Sequence, residues 1–279
     1  MRVNHKIGRL FSAVALAAVA SASNFASASS TVKADTLAVG SDLTLPPYTY
    51  LEDHKPTGFD PDITTAIAKL MSKKVEFVDT RFANLILGVK GSRYDIAASA
   101  MYVTPERLKV VDFVPYFMTG GSLLVKSSST FKPAGISDLC GKSVASIKGA
   151  TWLTELSDGS KACEAAGKER ITVREFDTSP EAAQSVLSGA SEAHYEDISI
   201  GSRIAERSNG RLIMSTTGPL NPIVCGIYLK KGNAELKTEI ESALTKMKSS
   251  GEYQALLAKY NLAEPTPEAI AKATGSAGQ

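Results

Sequence analysis

The sequence has 279 residues, and its 43% of hydrophobic and 22% of charged residues are typical of a packed globular protein. The formal net charge is +2, and no strongly basic stretch beyond the N-terminus argues for binding to nucleic acid. We therefore expect a soluble protein of one large domain or two ordinary lobes, without a nucleic-acid partner.

The N-terminus has the order of a secretory signal peptide. A positive start is followed by eleven apolar residues, Leu10 to Ala20, and then by small residues ending in Ala26-Ser27-Ala28. This run is too short to span a membrane as a helix, which takes roughly 20 residues. The sequence predicts a signal peptide over residues 1–28, cleaved after Ala28 or else after Ala34, and a periplasmic location; a buried N-terminal helix is the alternative. Its removal leaves 28 basic and 29 acidic residues, a net charge of −1, because it contains Arg2, Lys6 and Arg9.

The rest of the chain alternates short β-rich runs with amphipathic helical patterns, which predicts an α/β protein with mainly parallel sheets. One helix start is marked by Thr104 as N-cap and Pro105 at the first helical position. The segment 264–279, rich in Ala, Gly, Pro and Thr, is expected to be poorly ordered. Strands are predicted at residues 36–40, 74–78, 95–99, 143–148, 171–176, 193–196 and 226–230, and helices at residues 60–71, 82–90, 181–188, 198–207, 234–249 and 251–259, with a further helix starting over 151–156.

Three cysteines follow the predicted signal peptide, and disulfides persist in exported proteins. Cys140 and Cys163 flank one strand-and-helix unit, so their spacing and context favour a disulfide between them. Such a bridge closes a loop of roughly two dozen residues, worth about 3 kcal/mol in the chain-entropy description. Cys225 lies in an apolar stretch and is expected to be a buried free thiol.

Two similar series of strands and helices follow one another, with a late return to the first. This order suggests two lobes joined by more than one crossing of the chain. Ligands of such folds bind at the carboxyl ends of strands, where helix N-termini converge. A cleft between the two lobes is therefore the expected place for a small solute.

A motif over Gly58-Phe59-Asp60-Pro61-Asp62 opens the first predicted helix. It resembles the signature of bacterial extracellular solute-binding proteins of family 3, the periplasmic receptors of ABC importers for polar amino acids and opines. Pro61 departs from the usual apolar residue, which the first turn of a helix tolerates. The resemblance covers roughly residues 36–262 and continues through the segments 82–86, 95–107, 112–116 and 148–151.

The resemblance implies a fold and an architecture. The family has the type II periplasmic binding protein fold, an α/β fold of two Rossmann-like lobes joined by a two-strand hinge. Lobe 1 would comprise residues 35–119 and 222–263, and lobe 2 residues 120–221. Delivery of the solute to the membrane permease of an ABC importer, a monomeric state and domain closure around the ligand follow from the same resemblance.

The resemblance also implies residues for an α-amino-acid head group. Arg107 would bind the α-carboxylate with its planar guanidinium. The helix dipole disfavours a positive charge in the first turn of a helix, so an arginine at this position is easier to explain if an anion binds to it. The backbone after Gly149 and the Thr151 hydroxyl would bind the same carboxylate, with a plain N-cap as the alternative. Asp197 would pair with the α-ammonium, or cap the helix at Ile198, or do both. The remaining head-group contacts would come from Ser99, Ala100, Met101 and Ala150.

The side-chain end of the predicted site departs from the family pattern. Asp42 matches a position that contacts polar or cationic side chains, with a turn cap as the alternative. Phe82 matches an aromatic wall, whereas Leu45 stands where Tyr or Phe is usual, which argues against a stacked guanidinium. Ala100 and Tyr102 stand where many relatives carry a hydroxyl. Two aromatic residues are near enough in sequence to compensate, unless they belong to the core: Tyr48 and Trp152.

Sequence motifs of catalysis are mostly absent, and neither a cofactor nor a metal site is expected. One enzymatic alternative is a dehydratase that acts on a prephenate-like or arogenate-like substrate, as in some relatives of this fold. Glu196, otherwise expected to be solvated, or Asp197 would then be the general acid. A sensor domain of a membrane receptor is disfavoured because no transmembrane segment is predicted. The sequence therefore predicts a binding protein and not an enzyme.

Overall fold

The structure is a computed structural model that describes Met1 and residues 30–276. The predicted signal peptide, residues 1–28, lies outside the described residues except for Met1, as do residues 277–279. Within residues 30–276, no helix combines the length and apolar character that crossing a bilayer requires.

Strands and helices alternate along the described chain, as the hydrophobic pattern predicts. The strands are β1 (Thr36–Ser41), β2 (Thr44–Leu45), β3 (Thr49–Glu52), β4 (Lys55–Thr57), β5 (Lys74–Asp79), β6 (Ile96–Ala97), β7 (Val111–Lys126), β8 (Ser143–Ile147), β9 (Thr172–Phe176), β10 (Ala193–Asp197), β11 (Leu212–Met214) and β12 (Leu220–Lys230). The helices are α1 (Phe59–Leu70), α2 (Leu85–Lys90), α3 (Pro105–Leu108), α4 (Trp152–Ala165), α5 (Ser179–Ser188), α6 (Ile198–Arg207), α7 (Ala234–Ser250), α8 (Glu252–Lys259) and α9 (Pro267–Thr274). Two short 3-10 helices cover Phe82–Asn84 and Ile136–Leu139.

The main sheet has the strand order β5-β1-β6-β12-β7-β10-β8-β9, and β11 pairs with β7 beside this path. The outer strands are parallel: β1 pairs with β5 and β6, and β8 pairs with β9 and β10. The central pairs, β12 with β6 and β7 and β10 with β7, are antiparallel. The sheet is therefore mixed, where the sequence pattern predicted mainly parallel pairing. A small antiparallel sheet, β2-β3-β4, is a feature that the sequence reading missed.

Two long strands connect the lobes. The first part of β7 pairs with β12 from Val111 opposite Lys230, and its second part pairs with β10 from Gly121 opposite Asp197. Because β7 carries the chain into the second lobe and β12 returns it, the two strands form the expected two-strand hinge. The expected lobe boundaries, 119/120 and 221/222, fall inside these strands and stay a prediction.

The C-terminal segment corrects one expectation. Residues 264–279 were expected to be poorly ordered, but Pro267–Thr274 form α9. Thr266 is the N-cap, with the Ala269 N–H donating to its hydroxyl at 3.1 Å, and Pro267 stands at the first helical position. Ala273 packs in a cluster with Val103 and Val224, so the small apolar residues that looked like low complexity form a helix face that covers lobe 1.

The cysteines lie as the sequence predicts. Cys140 and Cys163 form a disulfide with their Cα atoms 5.6 Å apart, linking the end of a 3-10 helix to α4. Cys225 is a buried free thiol in β12. Both expectations are confirmed.

Candidate functional site

A narrow cleft lies between the lobes, at the carboxyl ends of β8 and β10 and the start of α4 and α6. The space left between its side chains is only about 10 Å³, which is close to the smallest volume that holds a water molecule. The lobes are therefore closed on one another. Larger cavities of about 290 and 490 Å³ lie elsewhere, between α5 and α6 and beside α9. The cleft is lined by Leu45, Phe82, Ser99, Ala100, Tyr102, Arg107, Ile147, Ala150, Thr151, Trp152, Glu196, Asp197 and Ile200.

Arg107 extends from the predicted helix start into this cleft. The Thr104 hydroxyl caps α3 by accepting from the Arg107 backbone N–H at 3.3 Å. The guanidinium donates to the backbone carbonyls of Tyr102 (2.6 Å) and, across the cleft, Gly149 (3.1 Å), and its carbon lies 5.7 Å from the Phe82 ring centroid. No ion pair joins Arg107 to a carboxylate of the described residues. Its remaining donors make it a positive group suited to an anionic solute.

The start of α4 faces Arg107 from the second lobe. Gly149 has a φ of +79°, and a Cβ there would lie 2.9 Å from the Cα of Ala83 in the first lobe. Only glycine therefore permits both the turn and the close approach of the lobes. The Thr151 hydroxyl makes no capping hydrogen bond to α4 among the described residues, so the plain N-cap alternative does not account for it. Thr151 and Ala150 line the cleft beside a helix N-terminus, which favours anions.

Asp197 ends β10 and is buried against the first lobe, with 1% of its surface exposed. Its Oδ1 accepts from the Ser199 backbone N–H at 2.9 Å, which makes it the N-cap of α6. Three hydroxyls across the cleft also donate to the carboxylate, those of Tyr48, Tyr102 and Thr119. Burial raises the pKa of Asp197 to about 6, the hydroxyl hydrogen bonds oppose this rise, and neighbouring Glu196 adds to it. The N-cap role is present, and the ligand role stays a proposal.

Glu196 corrects a second expectation, since it was expected to be solvated and is completely buried. Its carboxylate accepts hydrogen bonds from the Ser179 hydroxyl and from the Asp197 backbone N–H, the latter at 2.8 Å. The ring of His194, also completely buried, places Nε2 3.4 Å from a Glu196 carboxylate oxygen. The position of the strand explains the error, because β10 lies between β7 and β8 and all of its residues are buried.

The strand end at Ser99 and Ala100 forms the floor of the cleft in the first lobe. Ala100 has a φ of +49°, a left-handed conformation that is uncommon for a residue with a Cβ. Its backbone N–H donates to Asp60 at 3.1 Å, and Asp60 is completely buried at the start of α1. The Ser99 hydroxyl accepts from the Asp42 backbone N–H at 3.1 Å. The motif residue Asp60 therefore shapes the floor without itself lining the cleft.

Three residues proposed from the sequence do not line the cavity. The Asp42 carboxylate accepts from Arg81 (2.8 Å), from the Phe82 backbone N–H (2.8 Å) and from the Thr44 hydroxyl (2.7 Å), so it supports the turn before Phe82. Tyr48 is fully buried and approaches the cleft only through its hydroxyl. Met101 is buried in the core behind the floor.

The side-chain end of the cleft is largely apolar. Trp152 stacks on Tyr195 with ring centroids 5.5 Å apart and donates to the Ser146 hydroxyl. Three residues that line the cleft are not predicted from the sequence as ligand contacts: Tyr102, Ile147 and Ile200. The rule that ligands meet strand ends and helix starts would have found two of them, since Ile147 ends β8 and Ile200 lies in the first turn of α6. Among the described residues, no cluster of three or more His, Cys, Asp or Glu side chains is arranged to hold a metal ion.

Comparison with known proteins identifies the family. The sequence profile of bacterial extracellular solute-binding proteins, family 3, matches residues 37–263. The chain belongs to this family. The match spans both lobes and the hinge, so the solute-binding fold accounts for nearly all of the described chain.

Several relatives of the chain are named as amino acid-binding proteins. The chain is 33% identical to the ABC transporter glutamine-binding protein GlnH of Bacillus subtilis (strain 168), over 75% of this chain and 74% of GlnH. It is 28% identical to the L-cystine-binding protein TcyJ of Escherichia coli (strain K12), over 83% and 84% of the two chains. An ancestral arginine-binding protein bound to arginine has 33% identity and a TM-score of 0.74, covering 81% of this chain and 98% of its own. The similarity confirms the fold class and the solute-binding function.

One structural relative points toward enzymes. The ancestral amino acid-binding protein AncCDT-1, a precursor of cyclohexadienyl dehydratase, is 30% identical with a TM-score of 0.71. It covers 81% of this chain and 95% of its own. The fold therefore occurs both in binding proteins and in a lineage that leads to a dehydratase.

Proposed function

We propose that the protein captures a small amino acid, or a related carboxylate solute, between its two lobes. The observation that carries this proposal is the guanidinium of Arg107, which lies in the cleft opposite the start of α4 without an ion pair to any described carboxylate. A planar cation and a helix N-terminus on opposite walls together favour a carboxylate. Asp197, on the same side as α4, would receive a positive group of the solute.

The relatives support the remaining parts of the proposal. GlnH and TcyJ bind glutamine and cystine by their names; we infer that this chain also binds an amino acid and delivers it to the permease of an ABC importer. The signal-peptide pattern supports export to the periplasm and cleavage within the N-terminal segment. The protein would act as a monomer and would release its solute unchanged, as a binding protein and not an enzyme.

The ligand side chain would be accommodated by an apolar wall. Leu45, Phe82, Ile147, Trp152 and Ile200 line the cleft, whereas the carboxylate of Asp42 is taken up by protein donors. An apolar wall favours a ligand with a substantial hydrocarbon part. A stacked guanidinium is disfavoured, because Leu45 offers no second aromatic face opposite Phe82.

A thermal-shift screen tests the proposed function. The protein is unfolded and refolded to remove any ligand carried through purification, and then melted with each common amino acid, opine and related carboxylate. A solute at a thousand times its dissociation constant should add about 4 kcal/mol to the free energy of unfolding. The expected result is a rise in melting temperature with at least one amino acid. No rise with any member of the panel would overturn the proposal.

The dehydratase alternative has one specific observation in its favour. Glu196 and Asp197 are two adjacent buried carboxyl groups in the cleft, and the pKa of Asp197 is raised to about 6, which suits a general acid near neutral pH. Purified protein would then convert prephenate or arogenate with release of carbon dioxide and water. Reversible, stoichiometric binding without product would exclude this alternative.

A further inference from the structure

Tyr102 connects the two charged groups of the cleft. Its backbone carbonyl accepts from the Arg107 guanidinium at 2.6 Å, and its hydroxyl donates to Asp197 Oδ2 at 2.8 Å. The ring is 5% exposed and packs edge-on against Trp152 with centroids 5.3 Å apart. Tyr102 is therefore held in place by contacts on both lobes, with its hydroxyl group on the carboxylate.

The Asp197 carboxylate is fully occupied in the closed arrangement. Oδ1 accepts from the Tyr48 hydroxyl (2.9 Å) and the Ser199 backbone N–H (2.9 Å). Oδ2 accepts from the Tyr102 hydroxyl (2.8 Å) and the Thr119 hydroxyl (2.8 Å). A carboxylate offers about four acceptor positions, and all of them are used by the protein. An ammonium group of a ligand must displace one of these donors to bind Asp197.

Tyr102 is the donor that a ligand would have to displace. Of the three hydroxyl-bearing residues, only Tyr102 lines the cavity; Tyr48 and Thr119 do not. Burial and the charge of Asp197 raise the pKa of the Tyr102 hydroxyl well above its usual range, so it remains a donor at neutral pH. A hydroxyl and an ammonium group are similar in size, and either can donate to a carboxylate oxygen such as Oδ2 of Asp197.

We propose that Tyr102 determines specificity by competing with the ammonium group of the ligand for Asp197. Asp197 still receives the ammonium group, but displacing the Tyr102 hydroxyl reduces what this contact contributes to the affinity. The preference for an α-amino acid over the corresponding 2-hydroxy acid would therefore be smaller than it would be without the Tyr102 hydroxyl. This inference rests on the proposed function, because it assumes that the solute occupies the cleft.

The test compares amino acids with their 2-hydroxy analogues. Dissociation constants of refolded protein are measured by calorimetry for L-glutamine, L-arginine and the 2-hydroxy analogue of each, in the wild type and in Tyr102→Phe. The variant keeps the ring and removes the competing donor. The expected result is a shift of the affinity ratio toward the amino acid by at least about tenfold, since a hydrogen bond to a charged group is worth about 1.5–3 kcal/mol.

Two further variants make the test specific. Thr119→Val removes the other hydroxyl donor to Oδ2, but Thr119 does not line the cavity, so this variant should shift the ratio by less than Tyr102→Phe does. Tyr94→Phe is the matched control, because Tyr94 is 1% exposed and donates to the Leu85 carbonyl at 2.8 Å away from the cleft. Its affinity ratio should equal that of the wild type, and melting temperatures verify that each variant is folded.

The outcomes separate the inference from the proposed function. If the amino acids bind both the wild type and Tyr102→Phe with an unchanged ratio, the competition by Tyr102 is wrong and the proposed function stands. If none of the four solutes binds any of the proteins, the inference is wrong, and the proposed function is overturned only if the thermal-shift panel also shows no rise in melting temperature. Gain of amino-acid binding in Tyr102→Phe alone supports both.

Discussion

The Asp60 carboxylate accepts a hydrogen bond from the backbone N–H of Ala100 at 3.1 Å, and this contact joins α1 to the floor of the cleft. The same carboxylate accepts from the Tyr116 hydroxyl at 2.5 Å. Asp60 belongs to the motif by which the sequence resembles its family, and Ala100 is a cleft residue in the left-handed region of the backbone. The motif therefore serves the site indirectly, by holding a turn in an otherwise unfavourable conformation.

Asp60→Asn should change how stability depends on pH. Burial raises the pKa of Asp60 from 3.8 to about 7, so the folded protein retains a proton that the unfolded chain loses above pH 4. The contribution of this group to the free energy of unfolding is therefore full below pH 4 and decreases as the pH rises toward 7, by up to about 4 kcal/mol. Urea unfolding at pH 4.5 and pH 7.5 should show the wild type losing stability relative to Asp60→Asn. An equal pH dependence in both proteins would contradict the assignment.

Gly149→Ala should oppose closure of the lobes. A Cβ at Gly149 would lie 2.9 Å from the Cα of Ala83 on the other side of the cleft. Gly167→Ala is the matched control, because Gly167 also has a positive φ, +69°, but a Cβ there would meet nothing within 4 Å. Both variants carry a similar backbone cost of about 1 kcal/mol. Small-angle X-ray scattering in the presence of a bound solute should give a larger radius of gyration for Gly149→Ala only; identical radii would argue against the close approach.

Ala273→Asp should destabilise the protein through α9. Ala273 is 9% exposed and packs with Val103 and Val224, so a carboxylate there would be buried without a partner in this cluster. The expected loss is about 1–3 kcal/mol in the free energy of unfolding. Lys272→Asp, at the neighbouring exposed position, is the control and should cost less than about 1 kcal/mol. Equal losses in urea unfolding would mean that α9 does not pack as described.

The sequence predicts the elements well where caps and turns give strong local signals, but it does not predict β7, the longest strand. The cap at Thr104, the helix at Ile198–Arg207 and the disulfide of Cys140 follow from local patterns, and the structure confirms them. The short strands β2 to β4 are not predicted, because two to four residues are too few to show the alternating pattern of apolar and polar residues that marks a strand. The prediction of a poorly ordered tail is wrong, because a segment rich in small residues can form a helix, and Thr266 and Pro267 mark its start.

The charged residues of the candidate site could be predicted from the sequence, but the hydrogen-bond partners of its carboxylates could not. Arg107, Thr151 and Asp197 lie in the cleft where motif and strand ends predict. The engagement of Asp42 by Arg81 and the contacts of Asp197 with Tyr48 and Tyr102 depend on residues far apart in the sequence. The contact of Asp42 with Arg81 depends on packing within the first lobe, and the contacts of Asp197 depend on how the two lobes meet. No local pattern in the chain encodes either kind of contact.

Calorimetric titration of refolded wild type and Arg107→Met with the amino acid that gives the largest thermal shift tests most directly whether Arg107 holds the solute carboxylate. We expect one solute per protein in the wild type and at least about thirtyfold weaker binding in Arg107→Met, since loss of one partner of a buried charge pair costs about 2–5 kcal/mol. Arg203→Met, which removes only a partly exposed arginine paired with Glu206, should bind as the wild type does. Equal affinity in wild type and Arg107→Met would contradict the claim that the solute carboxylate is held at Arg107.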